Sequence, residues 1–266
     1  MKFNKSYTNY WASAVKNSID GTVIPDINVA DFFFQSLEAK KEDVILDLGC
    51  SYGRMSPLLQ KYSEQVYGID PDSFAVKQAK TKPYKDVQIG AAENTGFDDN
   101  FFDIVFCWAV FDVIDHSKGL KEIYRILKNG GSVLFTGKNY KYFSDDLCAF
   151  KAEKNAFLKG FPGKFTKLDN LLVFLEKLGF KLKKFFIFPR RGDFGQMEFI
   201  EYTPDNAPNA IGYEYLIVCQ KIIDKNNKGT KSIPKLSESY SSVVFDAAFN
   251  SGYKDTALFL RSIGLD

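Results

Sequence analysis

A short apolar run, followed at once by a turn between two glycines, is the feature that most limits how this sequence can fold. The run Val44–Leu48 has the length and composition of a buried strand, and Gly49 and Gly53 follow it. Further along, a second apolar run, Val66–Ile69, ends in Asp70. Such a turn offers free backbone N–H groups, and a strand-terminal acid beside it suits a ribose diol. The two features together predict a site for an adenosine-containing cofactor.

Strand and helix patterns alternate over most of the chain and predict an α/β fold. Strands are predicted near residues 44–48, 65–69, 86–90, 103–108, 132–137, 181–188 and 213–220. Helices are predicted near residues 31–39, 53–62, 73–81, 117–128, 144–160 and 168–178. This alternation favours a seven-stranded, mostly parallel sheet with helices on both faces. The long loop before the final strand predicts that this last strand is antiparallel.

Two junctions support this assignment. Pro71 predicts the end of the second strand, because proline has no N–H to donate to a sheet. Gly130 and Gly131 predict the end of the helix that precedes the strand near 132–137.

The chain is expected to form one main domain with an appendage, since 266 residues are enough for one large core. Residues 1–223 are assigned to the main domain, and the polar stretch 224–234 is interpreted as a linker. Residues 235–266 carry a helical pattern that is too short to fold alone. We expect this helical C-terminal extension to dock on the main body or on a second copy, which would give a homodimer.

Composition argues against several kinds of partner. The formal net charge of +2 gives no general reason to expect nucleic-acid or membrane binding. Four widely spaced cysteines, without a CxxC or a Cys/His cluster, predict neither a zinc site nor a disulfide framework, and no metal is expected. Because the N-terminus lacks a long apolar stretch and no apolar run reaches ~18 residues, we expect a cytoplasmic protein.

The first turn lacks the glycines of a GxGxxG dinucleotide fingerprint and instead reads Asp47-x-Gly49-x-x-x-Gly53. This pattern resembles motif I of the class I S-adenosylmethionine-dependent methyltransferases. The resemblance implies a Rossmann-like fold, S-adenosylmethionine as cofactor and S-adenosylhomocysteine as product. Ser51 stands where the family usually has a glycine. A serine fits there if its φ is negative, and its hydroxyl could add a contact with the cofactor.

The resemblance extends over residues 40–138 and implies further roles. Asp70 matches the family's acid that binds the ribose hydroxyls, and Ala91–Glu93 matches the segment that contacts adenine. Phe101–Val105 matches the approach to the fourth strand, and Leu120–Gly131 matches the helix and turn before the fifth. The cofactor site predicted in this way comprises Asp47, Gly49, Ser51, Gly53, Asp70, Pro71, Ala92, Glu93 and Trp108.

Several of these roles have a structural alternative. Asp47 engages the ammonium group of the cofactor or only caps the turn, and Asp70 binds the ribose or caps the following helix. Phe74 and Ile69 are expected to enclose the adenine ring. Trp108 contacts the cofactor or packs in the core.

The segment that leaves the fourth strand is expected to lie beside the sulfonium, and it holds two candidate general bases. His116 is the only histidine of the sequence, and a histidine near its ordinary pKa is a natural base. Asp112 is the second candidate. In the alternative interpretation His116 only begins the next helix and Asp112 only structures the loop.

The acceptor is expected at the same edge of the sheet, next to an insertion at residues 139–165. Arg190 and Arg191 clamp a phosphate or carboxylate, or else belong to a solvated loop. An N-terminal aromatic patch that includes Tyr7 forms a lid or packs on the core. The predicted substrate residues are Tyr10, Trp11, Asn139, Tyr140, Arg190 and Arg191.

Taken together, these residues predict a methyltransferase that acts on a small molecule, with a hydroxyl of a sugar or nucleotide-sugar as the favoured acceptor. An amine is the alternative acceptor, because a deprotonated amine needs no base. A nucleic-acid methyltransferase is not favoured, since the sequence has no basic arm and no Asn/Asp-Pro-Pro-Tyr/Phe motif. A nicotinamide-dependent dehydrogenase and an inactive cofactor-binding regulatory protein are the alternatives from other classes.

Overall fold

The computed structural model describes residues 27–143, 145–158, 163–203, 205–222 and 236. Three predictions therefore lie outside the described residues: the N-terminal lid with Tyr7, Tyr10 and Trp11, the linker 224–234, and all of the extension 235–266 except Leu236. Leu236 is buried, and its backbone N–H donates a hydrogen bond of 3.0 Å to Oγ of Ser117.

One nine-stranded sheet organises the described part of the chain. Its strands are β1 (Ile45–Leu48), β2 (Val66–Asp70), β3 (Asp86–Ile89), β4 (Phe102–Cys107), β5 (Leu127–Asn139), β6 (Phe165–Thr166), β7 (Phe180–Phe188), β8 (Ile200–Glu201) and β9 (Glu214–Lys221). The strand order is β3-β2-β1-β4-β5-β9-β7-β8, and β6 pairs with β5 outside this path. Strands β1 to β6 pair in parallel, whereas β9 runs antiparallel between β5 and β7.

The predicted α/β sheet and its antiparallel last strand are confirmed. The strand count differs from the predicted seven because the two-residue strands β6 and β8 also join the sheet. A strand of two residues is too short to produce a clear alternating pattern in the sequence.

Seven α-helices accompany the sheet in the described residues. They are α1 (Ile27–Phe34), α2 (Ser56–Leu59), α3 (Ser73–Ala79), α4 (His116–Ile126), α5 (Leu147–Leu158), α6 (Leu168–Leu178) and α7 (Asp193–Gln196). Local chemistry sets several of their ends. The Asp72 carboxylate accepts hydrogen bonds from the first turn of α3, Asp115 caps α4 in the same way, and Gly179, with φ of +102°, ends α6.

Helices cover both faces of the sheet because neighbouring residues of its strands point in opposite directions. In β5, Val133 and Phe135 pack with residues of α4 and α6, whereas Leu134 packs with residues of α1 and α2 on the other face. Across the described residues, no helix combines the length and the apolar character needed to cross a bilayer.

Gly130 and Gly131 do not end a helix, contrary to the prediction. Helix α4 ends at Ile126, and both glycines lie inside β5, where the pairing of β4 with β5 shifts register. Only a glycine fits at position 131, because a Cβ there would lie 2.9 Å from the carbonyl oxygen of Asp103. The glycines therefore mark an irregularity in the strand, where two backbones approach closely.

Candidate active site

The turn after β1 is held against the end of β2 by its own backbone. The N–H groups of Gly49 and Cys50 both donate to the carbonyl oxygen of Ile69, over 2.9 and 3.0 Å. Gly49 has φ of +80°, and a Cβ there would lie 2.4 Å from Cγ2 of Val110. Gly53 has φ of +79°, and a Cβ there would meet the side chain of Lys82 at 2.9 Å. Glycine is therefore needed at both positions for its conformation and for space.

Ser51 adopts a left-handed conformation with φ of +49°, so the serine occupies this turn without the negative φ that was the stated condition for its fit. The physical reason is a hydrogen bond of 2.9 Å from its backbone N–H to Oδ2 of Asp70. A bond to a carboxylate is stronger than one between neutral groups and offsets the cost of this backbone conformation.

Asp70 lies at the end of β2 with both carboxylate oxygens turned toward backbone donors. Oδ2 accepts from Ser51 and Oδ1 accepts from the N–H of Asp72, each over 2.9 Å. The cap of α3 is Asp72, so the alternative role of Asp70 as a helix cap is not what the structure shows. Burial raises the pKa of Asp70 to about 6, although these two hydrogen bonds oppose the rise. Each carboxylate oxygen has a second lone-pair site, so the group retains capacity for two further donors.

Asp47 lies beneath the turn and is almost fully buried. Burial raises its pKa to about 7, and the hydroxyl of Tyr84, which donates a hydrogen bond to its Oδ2, opposes this rise. Tyr84 was not predicted as a site residue. It lies in the loop before β3, and no local motif marks a partner that far along the chain.

Two exposed apolar side chains lie near the ends of β2 and β3. Phe74 is 57% exposed and Ile89 is 59% exposed, whereas Ile69 is buried at 1%. Ile69 is therefore a core residue and does not enclose a ring with Phe74, as expected from the sequence; Ile89 is the accessible aliphatic side chain in this region. Large exposed apolar groups beside a buried carboxylate are typical of a site for a planar ligand.

The predicted adenine segment contributes mainly to the framework. Ala92 is buried in the core cluster that includes α4. The Glu93 carboxylate accepts a hydrogen bond of 2.7 Å from the backbone N–H of Asp115, and so fixes the start of α4. Pro71 directly follows β2, as predicted.

The chain leaves β4 through a strained residue that sequence reasoning missed. Ala109 is exposed, has φ of +56°, and donates its N–H to Oγ1 of Thr136 over 2.8 Å. A left-handed alanine costs free energy and often marks a functional site. Trp108, by contrast, is 4% exposed and stacks on Phe106 with ring centroids 5.4 Å apart, so it packs in the core.

His116 and Asp112 lie in different environments. The His116 side chain is fully buried at the first turn of α4, and its ring stacks on Phe111 with centroids 4.2 Å apart. A ring that is 0% exposed presents no surface to an external acceptor. Asp112 lies at the edge of the sheet and forms an ion pair of 3.2 Å with Lys138 at the end of β5.

Lys138 is the centre of a buried ionic cluster beside α5. Its Nζ lies 2.9 Å from Oε1 of Glu153 as well as 3.2 Å from Asp112, and the Tyr213 hydroxyl donates to the same Glu153 oxygen. Burial alone would lower the pKa of Lys138, but Asp112, Tyr213 and Glu153 outweigh it and hold the pKa well above its ordinary value. The amine is therefore a fixed positive charge at this edge.

Of the remaining predicted acceptor residues, Asn139 and Tyr140 lie at one loop, whereas Arg190 lies on the surface. Asn139 is 1% exposed and its Nδ2 donates to the carbonyl oxygens of Lys141 and Ala210, so it fixes a loop. Tyr140 lies beside the same loop, with Lys167 Nζ 5.0 Å from its ring centroid. Arg190 forms an exposed ion pair of 2.9 Å with Asp145.

Arg191 and Glu214 complete the edge. The backbone N–H of Arg191 donates to Oδ2 of Asp146 over 2.7 Å, and its Nη1 donates to the Tyr213 hydroxyl over 3.1 Å. Glu214 opens β9 directly opposite Lys138. Burial raises the pKa of Glu214 to about 7, against the lowering effect of Lys138 and Arg191. Glu214 was not predicted, because a single glutamate at the start of a strand carries no sequence signal.

Comparisons with known proteins identify the family of this chain. A family model described as a methyltransferase domain matches residues 46–135. A demethylmenaquinone methyltransferase from Lactobacillus johnsonii is 30% identical over 176 residues, which cover 56% of this chain and 72% of that protein. The chain belongs to the class I S-adenosylmethionine-dependent methyltransferases. The predicted family and the predicted cofactor, S-adenosylmethionine, are therefore confirmed.

Further relatives of this methyltransferase are less complete matches. An uncharacterized protein from Methanocaldococcus jannaschii is 29% identical over 130 residues, 49% of this chain and 54% of that protein. The chain thus spans about half the length of several curated relatives that it matches.

Solved structures share the fold of this methyltransferase. A methyltransferase from Thermotoga maritima has a TM-score of 0.57 at 20% identity and covers 81% of this chain and 98% of its own. The YcgJ protein from Bacillus subtilis has a TM-score of 0.55 at 16% identity and covers 74% and 99%.

The residues around the first turn fit S-adenosylmethionine. The turn needs glycine where the backbone must be close to its neighbours, Asp70 retains acceptor capacity for a diol, and Phe74 and Ile89 expose apolar surface for a planar base. These observations come from the ends of β1, β2 and β3 and from the first turn of α3, which lie at one edge of the sheet. They bring together Asp47, Gly49, Ser51, Gly53 and Asp70, five of the nine predicted cofactor residues.

Proposed function

We propose that this methyltransferase acts on a hydroxyl group of a small polar molecule that binds at the carboxyl edge of β4 and β5, beside the first residue of β9. The observation that supports this proposal is the buried ionic cluster around Lys138, which includes Asp112 and Glu153. Charged side chains at a binding edge favour a polar acceptor over an apolar one, because desolvating them against an apolar molecule costs free energy. The narrower prediction of a sugar or nucleotide-sugar hydroxyl is compatible with such an edge.

In this proposal the first turn and Asp70 bind the cofactor. Asp70 accepts the two ribose hydroxyls, Gly49 and Gly53 let the backbone approach the methionine portion, and Phe74 and Ile89 border the adenine. When bound, S-adenosylmethionine supplies a methyl group that is attacked by the acceptor in a direct displacement. The chain must therefore align the acceptor and exclude water.

For the general base we favour a carboxylate at the edge over His116. His116 is buried against Phe111, which suits a packing role at the start of α4. Asp112 lies at the edge, but its carboxylate already forms an ion pair of 3.2 Å with Lys138. We assign Asp112 and Lys138 to shaping and charging the acceptor site.

Binding and turnover experiments test this function. S-adenosylhomocysteine should raise the melting midpoint of the chain, and NADH should not, because only a ligand that binds the native state stabilises it. A shift with NADH alone would instead favour the dehydrogenase. Transfer of a tritiated methyl group to hydroxyl compounds should then be measurable, whereas transfer to amines alone would favour the N-methyltransferase. Selective binding without transfer to any acceptor would favour the regulatory protein.

A quinol is the second candidate acceptor, on the strength of the named relatives. A demethylmenaquinone methyltransferase matches 56% of this chain, and a chloroplastic 2-phytyl-1,4-beta-naphthoquinone methyltransferase from Arabidopsis thaliana is 34% identical over 108 residues. Methyl transfer to menadiol, with none to polar hydroxyl compounds, would favour this candidate.

The organisation of the whole chain is part of the same proposal. We infer a methyltransferase domain at 1–223, a linker at 224–234 and a helical extension at 235–266, with a cytoplasmic location and a homodimer as further expectations. The described contact of Leu236 with Ser117 favours docking of the extension on the main body.

A further inference from the structure

The carboxylate of Glu214 is placed at the acceptor edge without a partner in the contacts that stabilise the fold. Glu214 is the cross-strand neighbour of Lys138, which pairs with Asp112 and Glu153 instead. Among the described residues, no hydrogen bond or ion pair involves the Glu214 side chain. It is nevertheless half-buried. Since its oxygens are not among the fully buried atoms that lack a partner, this carboxylate is accessible and retains its full capacity to accept a hydrogen bond from a ligand.

The Arg191 guanidinium is also available to a ligand, whereas that of its neighbour Arg190 is already paired. Arg190 pairs with the Asp145 carboxylate over 2.9 Å. Arg191 has no carboxylate within ion-pair distance among the described residues, although its backbone is fixed by Asp146 and one Nη donates to Tyr213. A guanidinium has five N–H donors in a planar fork. Most of the Arg191 donors therefore remain for a planar anion, at a position fixed by its neighbours.

The two side chains share one electrostatic environment. The positive charges of Arg191 and Lys138 both act on Glu214, as do the negative charges of Asp112 and Glu153. Tyr213, which accepts the Arg191 hydrogen bond, directly precedes Glu214 in the chain. One cation and one carboxylate are thus presented together where β5 ends and β9 begins.

We propose that Glu214 and Arg191 contact the acceptor directly: Glu214 takes the proton of the hydroxyl that is methylated, and Arg191 binds a phosphate or carboxylate of the same molecule. This inference rests on the proposed function and names its substrate class, a small hydroxyl compound with one anionic group. The acceptor oxygen forms the new bond to the methyl carbon as the carbon–sulfur bond breaks, and that electron pair stays on sulfur. The hydroxyl proton passes to the Glu214 carboxylate, so charge and atoms balance.

The anion site is tested first, by thermal melting in the presence of saturating S-adenosylhomocysteine. Two probes are anionic: UDP-glucose carries phosphate and shikimate carries a carboxylate. Glucose is the neutral probe, and menadiol is the quinol probe. At least one anionic probe should raise the melting midpoint of wild type and of the matched control Arg190→Gln, but not of Arg191→Gln. UDP-glucose and shikimate separate a phosphate from a carboxylate ligand. An equal shift in Arg191→Gln, or no shift with either anionic probe, overturns the proposal.

The proton-accepting role is tested with the anionic probe that binds, by transfer of a tritiated methyl group. Glu214→Gln should lower turnover by roughly 10²- to 10⁴-fold, the range for loss of a general base. Glu214→Asp, which keeps a carboxylate, should recover part of the turnover, and the exposed control Glu198→Gln should behave as wild type. The turnover of wild type should rise with pH and level off above about 7, where Glu214 is ionised. Turnover of Glu214→Gln within about twofold of wild type, or no turnover by wild type, contradicts the role of Glu214.

Failure of this inference is distinguishable from failure of the proposed function. If S-adenosylhomocysteine itself does not raise the melting midpoint, the cofactor site is at fault. If it does, and methyl transfer occurs only to glucose or menadiol, the chain is a methyltransferase whose acceptor does not use Arg191 and Glu214. The Arg191→Gln and Glu214→Gln variants should bind S-adenosylhomocysteine with the affinity of wild type. Equal affinity excludes a general loss of structure as the cause of any effect.

Discussion

The backbone N–H of Ser51 donates a hydrogen bond to the carboxylate of Asp70 and thereby joins the turn after β1 to the end of β2. One carboxylate thus has two tasks: it fixes a left-handed serine in the turn, and it retains the acceptor sites that fit a ribose diol. Its raised pKa, about 6, follows from the burial that both tasks require.

The Asp70→Asn variant should bind S-adenosylhomocysteine roughly 10- to 100-fold more weakly near pH 7.5, because charge-assisted hydrogen bonds to the ribose are lost. The affinity of wild type should also rise with pH through about 6 as Asp70 ionises, and the variant should lack this part of the rise. Titration calorimetry across the pH range measures both effects. The exposed Asp98→Asn variant is the control, and affinity unchanged in Asp70→Asn would exclude the ribose contact.

The Gly49→Ala variant should be destabilised by about 2–4 kcal/mol, because the new Cβ combines left-handed strain with a clash against Val110. Gly96→Ala is a matched control, since Gly96 has φ of +77° with no atom within 4 Å of a new Cβ. It should lose only about 1–2 kcal/mol. The double variant Gly49→Ala with Val110→Ala should recover part of the clash, as measured by urea unfolding. Equal costs at Gly49 and Gly96 would show that Val110 does not restrict the turn.

Stability should fall as pH rises from about 4 to about 7, in part because of Asp47. Its pKa is raised from 3.8 to about 7 in the folded chain, so the folded state binds the proton more tightly than the unfolded state. This contribution to the free energy of unfolding is complete at pH values below the pKa of Asp47 in the unfolded chain. It is lost once the pH passes the pKa of Asp47 in the folded chain, and its upper limit is about 4 kcal/mol. Asp47→Asn should flatten the slope in urea unfolding. A slope identical to wild type would mean that Asp47 is not buried as a carboxylic acid.

The Tyr84→Phe variant tests the partner of Asp47. Removing the hydroxyl should cost about 1–3 kcal/mol, the usual loss for an unsatisfied buried group. The cost should be larger near pH 8 than near pH 5, because the carboxylate needs the donor most when it is ionised. Unfolding curves at the two pH values measure this difference, and Tyr52→Phe provides a control tyrosine at the same edge. A cost independent of pH would separate Tyr84 from the ionisation of Asp47.

The His116→Ala variant should lower the free energy of unfolding by about 2–4 kcal/mol, because it removes a buried ring stacked on Phe111. His116→Phe should recover most of this loss, since it preserves an aromatic ring in the stack. Both variants should bind S-adenosylhomocysteine, and the phenylalanine variant should retain methyl transfer at temperatures well below its midpoint. Loss of transfer in a stable His116→Phe chain would instead identify His116 as the base.

The sheet and the first half of the site could be predicted because they depend on local patterns. Apolar runs of strand length, the Asp47–Gly53 turn and the acid ending β2 each occupy a few consecutive residues. The observed strands differ from the prediction in the two-residue strands β6 and β8, and in β5, which begins at Leu127 and not near residue 132. Contacts between distant segments could not be predicted in the same way: Tyr84 reaches Asp47 across 37 positions.

The residues of the proposed acceptor site are harder to predict from the sequence, for a physical reason. A charged residue at a strand end has the same sequence appearance whether it is solvated or turned into a site, so Glu214 was missed. His116 was singled out because it is the only histidine, yet rarity carries no information on burial. The left-handed φ of Ser51 could not be predicted from the turn alone, because the carboxylate that stabilises it belongs to another strand.

The reversed direction of β9 has a consequence for how such a chain can diversify. Parallel strands bring their last residues to the binding edge, whereas β9 brings its first residue, so the loop that precedes it sets the position of Glu214. Residues 46–135, which match the family model, end before α5, the Arg191 loop and β9 begin. If Arg191 and Glu214 bind the acceptor as proposed, insertions or deletions after β5 can change the acceptor while the cofactor-binding half stays the same.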